Sequence, residues 1–245
     1  MMRKGRGLTW MTASVLVLSF ALAGCCDDDH PLGVREGGGG GPAAVPLATA
    51  STFVVLGGST VTNTGATAVT GGDLGVSPGS SVTGFPPGTV SGTIHTNDAA
   101  AATAQSDLTV AYNDAAGRTT GSISVSGDLT GLTLAPGLYT STSSLAVSGA
   151  LTLTGLGDPN AVFIIQMAST LTTGPGSQVI LSGGASAANI IWQVGSSATL
   201  GTNSVFKGTI MADQSITLNT GARLDGRALA RIGAVTLDAN AIAAP

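Results

Sequence analysis

The sequence predicts a mainly β chain wound into a solenoid of roughly triangular section, with one long α-helix laid along one side. Three observations lead there. A five-residue pattern recurs through the C-terminal half, apolar strands recur at a matching interval, and one long stretch lacks the glycine and proline that punctuate the rest.

The pattern runs through residues 145–241. Thr170-Leu171-Thr172-Thr173-Gly174, Ser197-Ala198-Thr199-Leu200-Gly201, Ser215-Ile216-Thr217-Leu218-Asn219 and Ala234-Val235-Thr236-Leu237-Asp238 align as small, apolar, Thr, apolar, small, with Thr173 alone where the others have Leu. Successive side chains of a strand point to opposite faces, so the apolar residues share one face and the middle threonines the other. Those threonines follow one another at 27, 18 and 19 positions. That is the length of one coil of a β-solenoid, one strand on this side and two on the others. Ser144-Leu145-Ala146-Val147-Ser148 fits 26 positions upstream, with Ala in the threonine column.

Phe163-Ile164-Ile165-Gln166-Met167 and Ile190-Ile191-Trp192-Gln193-Val194 repeat at a spacing of 27 and are apolar on both faces. A strand of that kind is covered on both sides. Residues 209–212 and 227–230 extend the same ladder. The cover is the helix, expected over residues 97–116, a run with neither Gly nor Pro. Asn97 suits the N-cap, Asp98 and Asp107 the N-terminal half, and Gly117 the position after the C-terminus. Ala100, Ala104, Leu108, Ala111, Tyr112 and Ala115 form a narrow apolar stripe at helical spacing. A helix this narrowly apolar is marginal alone and needs a surface to lie on. Upstream, residues 53–56, 59–64, 68–70 and 90–94 read as strands between glycine turns, with Pro78-Gly79 and Pro86-Pro87-Gly88 at corners. The third side, with residues 204–207 and 223–227, is expected to carry outward charge. The threonine side is left exposed, flat and weakly polar.

Composition narrows the possible functions. Charged residues make up 9% of the 245 and the net charge is −4, so there is no basic surface for nucleic acid. The low charge and 37 glycines could signal disorder, but 43% of the chain is hydrophobic and alternates in a way disordered tracts do not. The two histidines, His30 and His95, are too few for a His/Cys metal site. His95 reads as a polar residue packed at the helix entry. Asp73, Asp128, Asp158, Asp213 and Asp225 mostly adjoin Gly or Pro and read as corner residues. Glycoside chemistry needs two convergent carboxyls. No acid pair recurs at the coil interval, and the only Glu, Glu36, precedes the domain. No nucleophile motif or phosphate loop is present either. No enzyme, cofactor or metal is expected.

The N-terminus reads as a targeting segment. Arg3, Lys4 and Arg6 precede an apolar run over residues 8–21, which ends Leu22-Ala23-Gly24-Cys25. This ending resembles the lipobox of bacterial lipoproteins, which implies a signal peptide over residues 1–24 and lipid on Cys25. Asp27–Asp29, Gly37–Gly41, Pro42 and Pro46 make residues 25–46 an expected flexible linker, leaving residues 47–245 as the domain. The expected location is extracytoplasmic, lipid-anchored at the bacterial membrane or cell surface, with plain secretion as the alternative.

Several further runs resemble one family. They are Gly72-Asp73-Leu74-Gly75-Val76-Ser77-Pro78-Gly79, Gly84-Phe85-Pro86-Pro87-Gly88, Pro136-Gly137-Leu138-Tyr139, Ala161-Val162-Phe163-Ile164, Trp192-Gln193-Val194-Gly195, Gly208-Thr209-Ile210 and Gly226-Arg227-Ala228-Leu229-Ala230. In this order they resemble the microbial ice-binding (antifreeze) proteins. The resemblance implies a discontinuous right-handed β-solenoid with a long flanking helix, a monomer, and an ice crystal surface as partner, met by one flat face. A threonine sheet suits that task. Its χ1 is stiff, its methyl disfavours bulk water and its hydroxyl can hold a lattice water. The expected contact residues are Ser144, Thr170, Thr172, Ser197, Thr199, Ser215, Thr217, Asn219, Ala234 and Thr236. The competing reading is a structural or adhesive surface module that binds a polymer or protein through the same face.

Overall fold

A computed structural model describes residues 41–245, and everything structural below refers to them. The expected signal peptide, Cys25 and most of the linker lie outside the described residues.

The chain forms a stack of parallel, three-sided coils. The threonine side is one eight-stranded sheet. In spatial order its strands are Ser81–Thr83, Thr60–Thr64, Val235–Asp238, Ile216–Leu218, Ala198–Leu200, Leu171–Thr173, Leu145–Val147 and Gly127–Asp128. The other two sides join into one fifteen-stranded sheet, because Val205–Ala212 and Arg223–Ala230 run around a corner. Gly208 and Gly226 make that corner at φ 102° and 156°. A Cβ on Gly226 would come within 1.9 Å of the Gly208 carbonyl oxygen, so successive coils stack here only through glycine.

Stacking does not follow chain order. The last coil, ending in Ala241–Ala243, pairs with the first: Val235 with Val61, Ile242 with Val69, and Ala228 with Val55. The helix α1 (Ala99–Gly117) makes this possible. The first two coils lead to Ile94–Thr96 at one end, and α1 carries the chain along the stack to Ile123–Ser124 at the other. From there the later coils build back until they meet the first. Nine strands on the helix side span ~38 Å at ~4.8 Å each. Nineteen helical residues supply ~28 Å, and a few extended ones at either end supply the rest.

Two cores hold the body. Inward residues of the three sides fill the stack, with Trp192 and Phe206 at 4.8 Å between ring centroids and the Trp192 indole donating to the Lys207 carbonyl at 2.9 Å. The second core lies between α1 and the side it covers. Leu108, Ala111, Tyr112 and Ala115 pack on Leu138, Ile164, Ile191, Met211 and Leu229, as the doubly apolar strands required. Polar groups set the helix in place. Gln105 donates to the Ala230 carbonyl and Tyr112 to that of Val194, while Arg231 stacks over the Tyr112 ring at 4.6 Å.

Local details differ from the sequence reading. The N-cap is Asp98, whose carboxylate accepts from Ala101 N at 2.9 Å; Asn97 instead turns the chain at φ 52°. Ala101, not Ala100, begins the buried stripe. Gly117 is the last helical residue, and the Gln166 amide takes the Ala115 and Arg118 carbonyls beside it. Arg227 is not on the solvated third side. It follows the Gly226 corner, and its guanidinium donates to the Ser51 carbonyl at 3.0 Å. Residues 41–46, assigned by composition to the linker, lie against the body, with Val45 buried in the helix core.

Candidate functional site

Alternation turns Leu171, Ala198, Ile216 and Val235 into the stack and leaves every second residue facing outward. Pairing across the sheet then places those outward residues in one column: Thr83, Thr62, Thr236, Thr217, Thr199, Thr172, Ala146, Asp128. The register holds without a shift over all eight strands, so six threonines stand at consecutive rungs. Stacking coil on coil keeps such a sheet from the twist of an open one. The threonines are exposed or half-exposed, and α1 lies on a different side. Thr173, the exception in the repeat, points inward, and its hydroxyl accepts from Gly201 N at 2.8 Å.

The small residues two positions earlier form a second column: Ser81, Thr60, Ala234, Ser215, Ser197, Thr170, Ser144. Its serines are partly spent inside the protein. The Ser144 hydroxyl accepts from Thr170 N at 3.3 Å and Thr170 Oγ1 at 2.9 Å, Ser197 from Ser215 N at 3.3 Å, and Ser215 from Ala234 N at 3.2 Å. These bonds bracket three pairs of neighbouring coils. By contrast, Thr83, Thr172, Thr199 and Thr217 have no protein partner for their hydroxyls among the described residues, and Thr62 and Thr236 meet only each other, at 3.4 Å. The threonine column therefore presents hydroxyls to water and the serine column joins coils. Asn219 lies at the edge of the face, where its carbonyl takes the Asn240 amide.

Charge enters only at the margins. Asp128 occupies the last rung, where its carboxylate accepts from the Thr130 hydroxyl at 2.6 Å, Thr130 N at 3.0 Å and Ser148 N at 3.2 Å. These bonds, the Thr130 hydroxyl first, lower its pKa to about 2. Asp238 closes its strand at the other edge and takes the Thr220 hydroxyl. Asp213 and Asp225 are not simple corner residues, since they pair with Arg231 at 2.6 Å and Lys207 at 2.9 Å on the other two sides. His95 bonds to the helix cap Asp98 at 2.7 Å, approaches Asp73 at 3.7 Å, and lies edge-on to Phe53. Among the described residues no group of three or more His, Cys, Asp or Glu could hold a metal ion.

Sequence reasoning missed half of one end. Thr60, Thr62, Ser81 and Thr83 belong to the same two columns. The signal was present, because Thr60-Val61-Thr62 and Ser81-Val82-Thr83 both read small, apolar, Thr. Nothing local says that they stack beyond Thr236, since α1 reorders the coils.

Comparison with known proteins agrees with this architecture. The model of the ice-binding-like family matches residues 55–243. An ice-binding protein of Nostoc sp. (strain HG1) is 54% identical over 197 residues, 80% of this chain and 72% of that one. One from Colwellia sp. is 38% identical, covering 84% and 85%. Among solved structures, an ice-binding protein from an Antarctic biological consortium superimposes with a TM-score of 0.82 at 58% identity, over 84% of this chain and 93% of that one. The chain belongs to the ice-binding-like family.

Proposed function

We propose that this chain adsorbs to ice through the threonine column and so inhibits ice growth or recrystallisation. The observation that carries the reading is the run of six threonines at consecutive rungs, four of them with hydroxyls that bond no other described residue. Neighbouring strands repeat at ~4.8 Å and alternate residues at ~6.8 Å, which makes the face a regular two-dimensional grid. Methyls between the hydroxyls exclude loosely held water, and each hydroxyl can fix one water in place. The scaffold is already ordered, so many weak contacts form together with little further loss of entropy. A charge-poor face leaves that water unperturbed by ionic hydration.

The family relationship supports ice as the partner, and the aligned columns of outward side chains support this face as the surface that meets it. The lipobox-like ending at Cys25 supports lipid anchoring at the outer side of a bacterial membrane, and a monomer suffices because one chain holds the whole face. Among the described residues the carboxylates are engaged in caps, turns and ion pairs, and no catalytic role is proposed for them. Ice-affinity partition tests the reading: the protein enriches in a slowly growing ice phase. Exclusion from ice to the same degree as an inert protein of equal size would refute it.

A further inference from the structure

A triangular stack has three ridges, and only one does not border the threonine face. There the chain turns from the third side to the helix side, at Pro136, in the 155–162 loop, and at Gly208 and Gly226. Residues 41–52 lie along this ridge as a strap. A side chain on Gly41 would meet Pro136 Cβ and the Val162 carbonyl at 3.2 Å, so the strap begins in close contact with two coils. Arg118, held by Asp114 at 2.7 Å, donates to the Ala43 carbonyl and, at 3.1 Å, to that of Ala44. Thr49 N donates to Asp107 of α1 at 3.0 Å, and the Arg227 guanidinium donates to the Ser51 carbonyl. Phe53 then enters the first coil, far along the stack.

We infer that this strap is a mount. It fixes the point where preceding chain joins the body to the ridge opposite the threonine face. A load carried at the strap therefore leaves the threonine face clear. A body mounted this way can hold ice and a carrier at once, rather than only coat crystals from solution. A pull transmitted through Gly41 runs along the ridge and is shared by Arg118, Asp107 and Arg227 before it reaches a strand. The inference rests on the threonine face being the ice contact.

The test uses the full chain with Cys25→Ser and Cys26→Ser, which removes both of its cysteines. One new cysteine is introduced for biotin: Ala43→Cys in the strap, Leu156→Cys exposed on the same ridge, or Thr217→Cys in the threonine column. Each is captured on streptavidin beads at equal density, and the beads are presented to growing ice. Beads loaded through position 43 or 156 are expected to be taken into ice, and beads loaded through 217 to be rejected. If ridge-loaded beads are rejected like the others while the same chains enter ice when free, the mount is overturned and the face stands. If the free chains also fail to enter ice, the face reading falls and the mount with it.

Discussion

Thr217→Tyr separates contact with ice from the integrity of the fold. Thr217 is the fourth of the eight rungs, paired to Thr236 on one side and Thr199 on the other. The six threonines span ~24 Å at ~4.8 Å per rung, and Thr217 lies within that row. A ring standing above the plane holds a rigid surface off its neighbours, and a gap of only ~0.5–1 Å already forfeits a quarter to a half of each contact. Rungs on both sides are lifted, so most of the thermal hysteresis is expected to vanish with one substitution. Stability should hardly change. The side chain points outward and bonds to no other described residue, which places the effect within ~0.5 kcal/mol. For a domain of this size that is a shift of about 2 °C or less in melting temperature. Nanolitre osmometry measures hysteresis and far-ultraviolet circular dichroism the melt. Lys207→Tyr on the third side serves as a control and should keep its activity. Full hysteresis in a normally melting Thr217→Tyr would mean that ice meets another side and would rule out the threonine column as the contact.

Three further outcomes follow from the same geometry. Ala146→Thr lengthens the threonine row by one rung, from ~24 to ~29 Å, and should raise hysteresis without lowering the melting temperature; a fall in activity would show that the row is not the limiting feature. Thr209→Val removes a hydroxyl that is fully buried and has no partner, keeps the β-branch, and should stabilise by about 1 kcal/mol, seen as a rise of about 2–4 °C in melting temperature. Asp128, with its pKa lowered from 3.8 to about 2, adds stability that is complete above the unfolded value and is lost as pH falls through the folded one. Asp98 and Asp107 are lowered too, by bonds from Ala101 N and the Thr49 hydroxyl, and act in the same direction. Melting temperature should therefore drop between about pH 4 and pH 2, and Asp128→Asn should soften that drop; an unchanged acid profile in the variant would count against the Thr130 and Ser148 bonds.

How far the sequence could be read depended on whether stacking followed chain order. From Leu145 onward each coil lies against the next one in sequence, so the Thr172, Thr199, Thr217 and Thr236 column is visible as a spacing. Thr62 and Thr83 stand in the same column only because α1 returns the chain to the far end, and no local pattern encodes that return. The side that α1 covers was legible because Ile164 and Ile191 left no polar face. The cap was misplaced by one residue since Asn97 and Asp98 are both good cap formers, and only the left-handed φ of Asn97 separates them. Arg227 looked solvated because charge usually is; Gly226 rotates the strand around a ridge just before it, which places the guanidinium against Ser51. The division of labour between serines and threonines was hidden as well. Both offer hydroxyls, and only the structure distinguishes Ser197 and Ser215, which bond the next strand's N–H, from Thr199 and Thr217, whose hydroxyls bond no other described residue.

Contact between ice and the threonine column is read directly by magnetisation transfer from ice. Protein carrying ¹³C-labelled threonine is adsorbed to ice, and transfer from ice protons to threonine methyls is followed by solid-state NMR. The fastest build-up is expected at Thr62, Thr83, Thr172, Thr199, Thr217 and Thr236, and slow build-up at Thr152 and Thr154 on the third side. Equal rates on both sides, or faster transfer to Thr152 and Thr154, would contradict it.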